Sequence, residues 1–235
     1  TANNEIGSIN DIFSLVLITK DIGAIFHTDA VQAVGHIPID VHTWNVDMLS
    51  ASAHKFNGPK GIGFLYVRKG TPIRSFFDGG QQESRLRSGT ENVASIVGMA
   101  TALKLTFDEL ELQSQKLRQM ETTFRKIIVN NLPMAIFNGS PEQHLPGLLS
   151  LSLPGVSAEG MLHLLDLQGV SVSTGTACNS KSKKISHVLK TIGLSKEFAI
   201  GTLRISFGRC NDLTDADAVA DAIVHTYDII AEKLH

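Results

Sequence analysis

The stretch Ala24-Ile25-Phe26-His27-Thr28-Asp29-Ala30-Val31-Gln32 decides the fold class of this chain of 235 residues. Three apolar residues lead into a polar cluster, a pattern typical of a short buried strand that ends at His27 to Asp29. Further strands are predicted at 46–52 and 61–67, and apolar residues at helical spacing predict a helix over 9–20. Because crossover lengths rather than tight hairpins separate the strands, the pattern favours an α/β sheet.

Two chemically useful side chains follow the first two predicted strands. Asp29 ends the first strand, and Lys55 comes after the second. Ligands of α/β sheets bind at the carboxyl ends of the strands, so both side chains are expected near a ligand, with Asp29 as a buried carboxylate. Each has a structural alternative: Asp29 as the N-cap of the 30–33 segment, and Lys55 as a surface lysine of a loop. Lys60 competes with Lys55, although its position is typical of the tip of a turn.

The second half of the chain carries a different pattern. One long helix, or two helices in line, is predicted over 91–131, and short strands and helices follow Pro133. This pattern predicts a small α+β domain, so we expect a first domain of residues 1–108 and a second of residues 109–235. Within the second domain, strands are predicted at 148–153, 170–173 and 202–207, and helices at 158–167, 185–192 and 215–234.

Composition narrows the classes of function. A formal net charge of -2 gives no electrostatic attraction to nucleic acid or to an anionic membrane, and neither is expected as a direct partner. No apolar run reaches the length of about 18 residues that a membrane span needs. The two cysteines are too few for a disulfide framework and favour a reducing, cytoplasmic setting. The nine histidines and two cysteines show no metal-ligand spacing, so no metal site is expected.

The residues at the strand ends suit chemistry with pyridoxal 5'-phosphate (PLP). PLP enzymes hold the cofactor as a Schiff base on a deprotonated lysine, and Lys55 is the best candidate because the residues after it cannot continue a helix. A carboxylate must keep the pyridine nitrogen protonated, and Asp29 suits that role. Gln32 could donate to the ring oxygen, and Ser52 and His54 could meet the phosphate. The alternatives for Ser52 and His54 are an ordinary strand residue and a satisfied core histidine.

Two residues of the second half add a nucleophile and a cation. Cys178 lies among small and hydroxyl residues of 171–180, where a loop would leave the thiol accessible, and the lysines of 181–184 offer positive potential. A buried, inert cysteine is the alternative, and Cys210 is a weaker candidate for the nucleophile. Arg204 alternates with apolar residues on a predicted strand, where a cation needs either a carboxylate substrate or an internal salt bridge.

Six motifs in order along the chain resemble the cysteine desulfurases of the NifS/IscS type, which belong to the PLP enzymes of fold type I. The motifs are Asn3-Asn4-Glu5-Ile6-Gly7, His27-Thr28-Asp29-Ala30-Val31-Gln32, His54-Lys55 with Gly58-Pro59-Lys60-Gly61, Arg85-Leu86-Arg87-Ser88-Gly89-Thr90-Glu91-Asn92, Ser173-Thr174-Gly175-Thr176-Ala177-Cys178 and Leu203-Arg204-Ile205-Ser206. The resemblance implies part of an aspartate aminotransferase-like large domain, with a mainly parallel PLP-binding sheet, over 1–108. It implies a smaller α+β domain with the loop of the catalytic cysteine over 109–235.

The resemblance also implies a role for each matched residue around the cofactor. Lys55 would form the Schiff base and move protons, and Asp29 would pair with the pyridinium nitrogen. Asn4 and Gln32 would lie near the ring hydroxyl. Thr90 would reach the phosphate of the neighbouring subunit, which implies a homodimer with shared sites. The full set of implied cofactor contacts is Asn4, Asp29, Gln32, Ser52, His54, Lys55 and Thr90.

The implied reaction begins with L-cysteine. Arg204 would hold its carboxylate, and Cys178 would take up its sulfur as a persulfide while L-alanine is released. The sulfur would then pass to an iron–sulfur scaffold or to a sulfur carrier for tRNA thiolation. A selenocysteine lyase-like or class V aminotransferase activity is the enzymatic alternative, although an aminotransferase has no use for the Cys178 nucleophile.

The beginning of the chain departs from that pattern. Thr1 to Gly7 resembles a turn inside a domain, and the family's phosphate loop and ring-stacking histidine have no counterpart before Asn3. We therefore expect this chain to be the C-terminal portion of the enzyme and to be inactive or impaired by itself. The non-catalytic alternative is a truncated half that acts as a dimerisation or scaffold-binding module.

Overall fold

The computed structural model describes residues 1–174 and 185–232, and the chain divides into two compact units. The first unit comprises Thr1 and Asn10–Leu110. The second unit comprises Ala2–Ile9 and the chain from Glu111 onward.

The short segment 2–9 joins the second unit, although its position in the sequence placed it in the first domain. Leu145 N donates to Gly7 O, and Ile9 N donates to Gln143 O, both at 2.9 Å. Backbone groups that pair in this way satisfy their hydrogen-bonding capacity within the second unit. The pairing therefore explains why the segment folds there.

The first unit contains a three-stranded sheet. In chain order its elements are α1 (Ile12–Asp21), β1 (His27–Asp29), β2 (Met48–Ser52), a 3-10 helix (Ala53–Phe56), β3 (Gly63–Val67), a second 3-10 helix (Glu83–Arg85) and α2 (Val93–Asp108). The strand order is β1-β2-β3. Strand β1 runs parallel to β2, and β3 runs antiparallel to it. The predicted α/β class is confirmed, and the described strands form one parallel and one antiparallel pair.

A buried carboxylate determines where this sheet begins. Asp47 is 7% exposed; its Oδ1 lies 2.5 Å from Lys20 Nζ, and its Oδ2 accepts from Phe26 N at 2.8 Å. Because Phe26 N is engaged by this side chain, β1 begins only at His27. The predicted start of the strand was too early, since Ile25 is 48% exposed.

The core of the first unit lies under β2 and the turn that follows β1. Only Ile12 and Val16 of α1 are buried, because residues four apart share one face of a helix. The other apolar side chains of α1, which the helical pattern would also place inside, are exposed at Phe13, Leu15, Leu17 and Ile18. The buried apolar residues outside α1 include Ala30, Ala33, Val34, Val46, Leu49, Ala51, Ala53 and Phe56.

The second unit is built on a four-stranded antiparallel sheet. Its elements are α3 (Leu110–Asn131, whose first residue belongs to the first unit), β4 (Ile136–Asn138), β5 (Leu148–Ser152), α4 (Ala158–Leu167), β6 (Ser173–Thr174), α5 (His187–Thr191), α6 (Lys196–Ile200), β7 (Thr202–Ser206) and α7 (Leu213–Glu232). The strand order is β4-β5-β7-β6. Strand β4 was not predicted, and the long helical stretch is two helices that meet at Glu109. None of the helices in the described ranges is long and apolar enough to cross a membrane.

The two faces of this second sheet differ in polarity. Leu149, Leu151 and Leu203 point to one side, where they pack with α3 and α7 in an apolar core. The opposite side carries hydroxyl and amide groups: Asn138 Nδ2 donates to Ser152 Oγ at 2.7 Å. Alternating side chains of a strand explain this division, and the polar side is the one that carries Arg204.

Replacing Asp47 by Asn should destabilise the first unit by about 1–3 kcal/mol, the cost of losing hydrogen bonds to a buried charge. Burial raises the pKa of Asp47. The hydrogen bonds from Lys20 and Phe26 and the positive charges of Lys20 and Arg68 lower the pKa, and they outweigh the effect of burial, so the pKa of Asp47 lies below its ordinary value. A lowered folded-state pKa stabilises the fold above the unfolded pKa of about 3.9, and this contribution is lost as the pH falls through the folded value. Urea unfolding, monitored by the fluorescence of Trp44, should occur at a lower urea concentration in the variant than in the wild type at neutral pH. In strong acid the two proteins should unfold at the same urea concentration.

Asp108→Asn is the matched control. Asp108 also pairs with a lysine, Lys104, at 2.6 Å, but its side chain is 50% exposed. Exposed ion pairs contribute little, so this variant should unfold at nearly the wild-type urea concentration. Equal effects of the two substitutions would contradict the anchoring role of Asp47.

Candidate active site

Parallel pairing of β1 and β2 brings the predicted acid and amine to one edge of a sheet. Asp29 stands opposite Ser50 in the register, and Ala30 N donates to Ser50 O at 2.9 Å. Strand β2 continues two residues further to Ser52, and Lys55 follows in the 3-10 helix. Both residues therefore follow the carboxyl ends of neighbouring parallel strands, where α/β sheets bind ligands.

Asp29 is exposed, which corrects the expectation of a buried carboxylate. The alternation of β1 points Thr28 inward, so that the residues on either side of it point outward. Asp29 Oδ1 accepts from Val31 N at 2.8 Å, and this contact realises the capping alternative. Within the described residues, the side-chain hydrogen bond of Asp29 uses Oδ1, so Oδ2 can accept a further donor. Gln32 lies half-buried in the turn that follows.

Lys55 is half-buried, whereas Lys60 is exposed at a turn. The ion pairs found among residues 1–174 and 185–232 are Lys20–Asp47, Lys104–Asp108 and His144–Glu121, so the Lys55 amine belongs to none of them. The contrast with Lys60 favours Lys55 as the reactive lysine.

Ser52 and His54 lie on either side of a buried alanine next to Lys55. Ser52 Oγ and His54 Nδ1 are 2.8 Å apart, and the His54 side chain is exposed, so it is not a core histidine. Their hydrogen bond uses the hydrogen of one partner, so the hydrogen of the other partner can be donated to an anion. This pair suits the predicted contact with a phosphate.

Tight packing orients the segment that carries Lys55. Ala53 and Phe56 are both 0% exposed, and Ala53 N donates to Ile62 O at 3.0 Å. A Cβ on Gly63 would lie 2.3 Å from Ala51 O, so glycine is required where β3 runs beside the end of β2. The 3-10 helix that carries Lys55 is therefore anchored by its buried first and last residues, Ala53 and Phe56.

Thr90 lies in the same unit, exposed, just before α2. Asn92 caps that helix by accepting from Ser95 N at 3.2 Å. An exposed position is compatible with the predicted contact to a neighbouring subunit, which stays a prediction.

Arg204 lies on β7 in the second unit, opposite Ser150 on one side and Ser173 on the other. Its Nη1 donates to Asn4 O at 3.1 Å, and its Nε is buried without a hydrogen-bond partner. Within the described ranges Arg204 forms no ion pair, so the internal salt bridge that was the alternative is not present there. A half-buried arginine whose buried Nε is an unused donor fits a site for a carboxylate.

The segment that carries Asn4 is fixed at both sides of that residue. Asn3 Oδ1 accepts from Glu5 N at 2.8 Å and from Ile6 N at 3.0 Å. The Glu5 carboxylate is 6% exposed and accepts from the hydroxyl of Ser186. Asn4 itself is exposed, and only its backbone carbonyl contacts Arg204.

Ser186 also caps α5, because its Oγ accepts from Val188 N at 3.0 Å. Sequence reasoning missed the Glu5–Ser186 contact, since nothing local marks two residues 181 positions apart as partners. The Glu5–Ser186 contact fixes the position of Ser186, which lies two residues after the segment 175–184. Cys178 belongs to that segment and lies outside the described residues.

Other nucleophile and metal candidates are weaker. Cys210 is a free, exposed thiol in the loop between β7 and α7. No cluster of three or more potential metal ligands occurs in residues 1–174 and 185–232.

Comparisons with known proteins identify the relatives of this chain. Residues 1–219 match the family "Aminotransferase class-V". The chain is 43% identical over 233 residues to "Cysteine desulfurase IscS" of Dictyoglomus turgidum, and the match covers 99% of this chain and 58% of the relative. These matches confirm the resemblance drawn from the motifs.

Solved structures are similar as well. The structure named "NIFS-LIKE PROTEIN" has a TM-score of 0.88 and 35% identity, covering 97% of this chain and 60% of that one. The structure named "SspA in complex with cysteine" has a TM-score of 0.70 and 33% identity, covering 88% and 56%. The chain thus spans about three fifths of these relatives. That coverage does not confirm the expectation that it is their C-terminal portion.

Substituting Gly63 by Ala should displace β3 from the end of β2, because the new Cβ would lie 2.3 Å from Ala51 O. Overpacking of this kind costs about 1–3 kcal/mol. The Trp44 unfolding transition should move to lower urea, and the amide of Ala53 should exchange faster with solvent.

Gly160→Ala is the control for that substitution. Its new Cβ would have Ser157 Cβ as its nearest contact at 3.9 Å, and it lies in helix α4. The added atom is not overpacked, and alanine favours a helix by about 0.5–1 kcal/mol over glycine, so the control should not move the Trp44 transition to lower urea. A wild-type transition for Gly63→Ala would show that β3 tolerates the added atom.

Proposed function

Because the chain belongs to the class-V aminotransferase family, we propose that it is part of a PLP-dependent cysteine desulfurase. The enzyme would convert L-cysteine to L-alanine and transfer the sulfur as a persulfide of Cys178. The observation that carries the proposal is the placement of Asp29 and Lys55 after the carboxyl ends of two parallel strands. A relative 43% identical to this chain is named a cysteine desulfurase.

The residues at this sheet edge fit the requirements of PLP. Lys55 would hold the cofactor through its unpaired amine, and Asp29 Oδ2 would accept from the pyridinium nitrogen. Ser52 and His54 would contact the phosphate, and Gln32 the ring hydroxyl. PLP, when bound, supplies the electron-withdrawing ring that makes substrate carbon bonds breakable.

The substrate carboxylate would bind in the second unit. Arg204 has a buried Nε without a partner, and Nη1 is oriented by Asn4 O. A guanidinium can bind a carboxylate through two parallel hydrogen bonds. The same contact holds the backbone of Asn4, which we propose to lie near the cofactor ring. A structural relative was solved in complex with cysteine, an amino acid with the carboxylate that Arg204 would bind.

The sulfur transfer itself would use two side chains. The Cys178 thiolate attacks the sulfur of bound L-cysteine, so an S–S bond forms as the C–S bond breaks. The electron pair of the C–S bond stays with the substrate, and Lys55 returns the proton that completes L-alanine. The persulfide then carries the sulfur to an iron–sulfur scaffold or to a sulfur-carrier protein.

We further propose that the enzyme is a cytoplasmic homodimer. Helix α2 contains no buried residue and exposes Val93, Val97, Leu105 and Phe107, which a second subunit could cover. Thr90, next to this helix, would then reach the partner's cofactor. The low cysteine content supports a reducing compartment.

The two compact units would correspond to two functional domains. We propose that residues 1–108, apart from the segment 2–9, belong to the PLP-binding large domain, and that 109–235 form the small domain with the cysteine loop. Because the chain spans 58% of its Dictyoglomus relative, we expect weak or no sulfide release from the 235-residue chain alone.

Borohydride reduction after incubation with PLP tests the cofactor assignment. Peptide mapping by mass spectrometry should find the reduced adduct on Lys55, and Lys55→Ala should lose it. Lys60→Ala is the matched control, because it removes a nearby exposed lysine and should keep the adduct. An adduct on Lys60 instead would overturn the assignment of Lys55, and an adduct on no lysine would overturn the assignment of this chain as a PLP-binding part.

Substitutions in the second unit test the sulfur chemistry in an active longer form of the protein. Cys178→Ala should abolish persulfide formation while the Lys55 adduct persists. Arg204→Lys should raise KM for L-cysteine by roughly tenfold or more, since loss of a charge-assisted hydrogen bond costs about 1.5–3 kcal/mol. Cys210→Ala is the control and should turn over normally. Sulfur transfer by Cys178→Ala would show that another nucleophile acts.

A further inference from the structure

The 3-10 helix that carries Lys55 ends with carbonyl groups that lack donors from its own backbone. The amides of Asn57 and Gly58 both donate to the first carbonyl, Ala53 O. Helix ends leave their last carbonyls without intrahelical partners. The carbonyls of Lys55 and Phe56 therefore require donors from elsewhere in the chain.

Two side chains from other parts of the first unit supply these donors. His36 Nε2 lies 2.9 Å from Lys55 O, and Thr106 Oγ1 donates to Phe56 O at 3.2 Å. Because a carbonyl oxygen only accepts, His36 Nε2 carries a proton in this contact. The chain on both sides of the Lys55–Phe56 peptide bond is thus held by side-chain hydrogen bonds.

Close packing keeps His36 within reach of that carbonyl. The preceding residue, Gly35, has φ +82°, and a Cβ there would lie 2.6 Å from Phe56 Cβ and 3.0 Å from Thr106 Cγ2. Phe56 is fully buried, so it cannot yield to an added atom. Only glycine lets the turn approach the 3-10 helix this closely, and the approach places the imidazole of His36 against Lys55.

The turn that ends at His36 begins at Asp29. Backbone hydrogen bonds define it: Val34 N donates to Ala30 O at 2.9 Å, and His36 N donates to Ala33 O at 3.0 Å. One short turn therefore runs from the proposed acid of the site to the backbone of the proposed Schiff-base lysine.

We propose that His36 is a positioning residue that fixes the backbone of Lys55 relative to Asp29, with Thr106 as its counterpart at the next carbonyl. The contact is made to the carbonyl, so the Lys55 amine remains free to react. The inference rests on the proposed function only for the chemical role of Lys55. The hold on the backbone is a property of the chain without cofactor.

Two variants at His36, one control at His42 and one variant at Thr106 isolate these hydrogen bonds. His36→Phe removes the donor and keeps an aromatic ring, and His36→Gln keeps an N–H donor at similar reach. His42→Phe is the matched control, because His42 is an exposed histidine of the same unit. Thr106→Val removes the second donor with little change in shape.

Hydrogen exchange of the amides of Asn57 and Gly58 gives the first readout, since both report whether the 3-10 helix is closed. His36→Phe should speed their exchange roughly fivefold, the factor that corresponds to a hydrogen bond of ordinary net strength. His36→Gln and His42→Phe should stay near wild type. The Trp44 unfolding transition of His36→Phe should shift by no more than the loss of that one hydrogen bond, and amides elsewhere in the first unit that exchange by local opening should keep their wild-type rates.

The second readout is the rate of borohydride-trapped PLP adduct formation on Lys55. We expect His36→Phe to slow it several-fold and His36→Gln to restore it. Wild-type exchange in His36→Phe, or equal acceleration across the whole first unit, would overturn the proposal. Local acceleration with an unchanged trapping rate would also overturn it.

The proposed function can fail separately from this inference. If wild type forms no adduct, the assignment of Lys55 as the PLP lysine fails. The exchange rates of Asn57 and Gly58 in the three His36 proteins would still decide whether His36 holds the Lys55 backbone.

Discussion

Parallel pairing of His27–Asp29 with Met48–Ser52 is the constraint on which the candidate site depends. Side chains alternate along a strand, so a slip of one residue would turn Asp29 inward and Thr28 outward. The carboxylate of Asp47 opposes such a slip, because it binds Phe26 N immediately before β1 and precedes β2 by one residue. The position of the acid relative to the lysine segment is thus set by backbone register and by one buried charge.

In the second unit, the alternation of side chains along β7 determines the side of the sheet to which Arg204 points. Leu203 and Ile205 complete the apolar core, and Arg204 between them must point to the opposite face. A cation there would be costly against apolar neighbours, but the facing residues are Ser150 and Ser173. The carbonyl of Asn4 satisfies only part of the guanidinium. An arginine held in this way keeps a hydrogen-bond donor that a ligand can use.

The sequence was most informative where function depends on strand ends and alternation. The placement of Asp29 and Lys55 at strand ends, and of Arg204 on an alternating strand, was predicted by those rules, because a strand's direction and period are local properties. The exposure of Asp29 was missed, since burial depends on neighbours that arrive from distant parts of the chain. Contacts such as Glu5 with Ser186 leave no local pattern at all. His36 was overlooked for a related reason: its partner is a backbone carbonyl, which every residue type possesses.

A reactive lysine poses a conflict that these contacts resolve. It must be held in place, yet a carboxylate on its amine would stabilise the ammonium and suppress its nucleophilicity. Lys20 shows that alternative, with Nζ engaged by Asp47 in a purely structural role. Lys55 is contacted instead at its carbonyl oxygen, by Nε2 of His36. A lysine held in this way has an ordered backbone and no carboxylate on its amine, the combination that the role proposed for Lys55 requires.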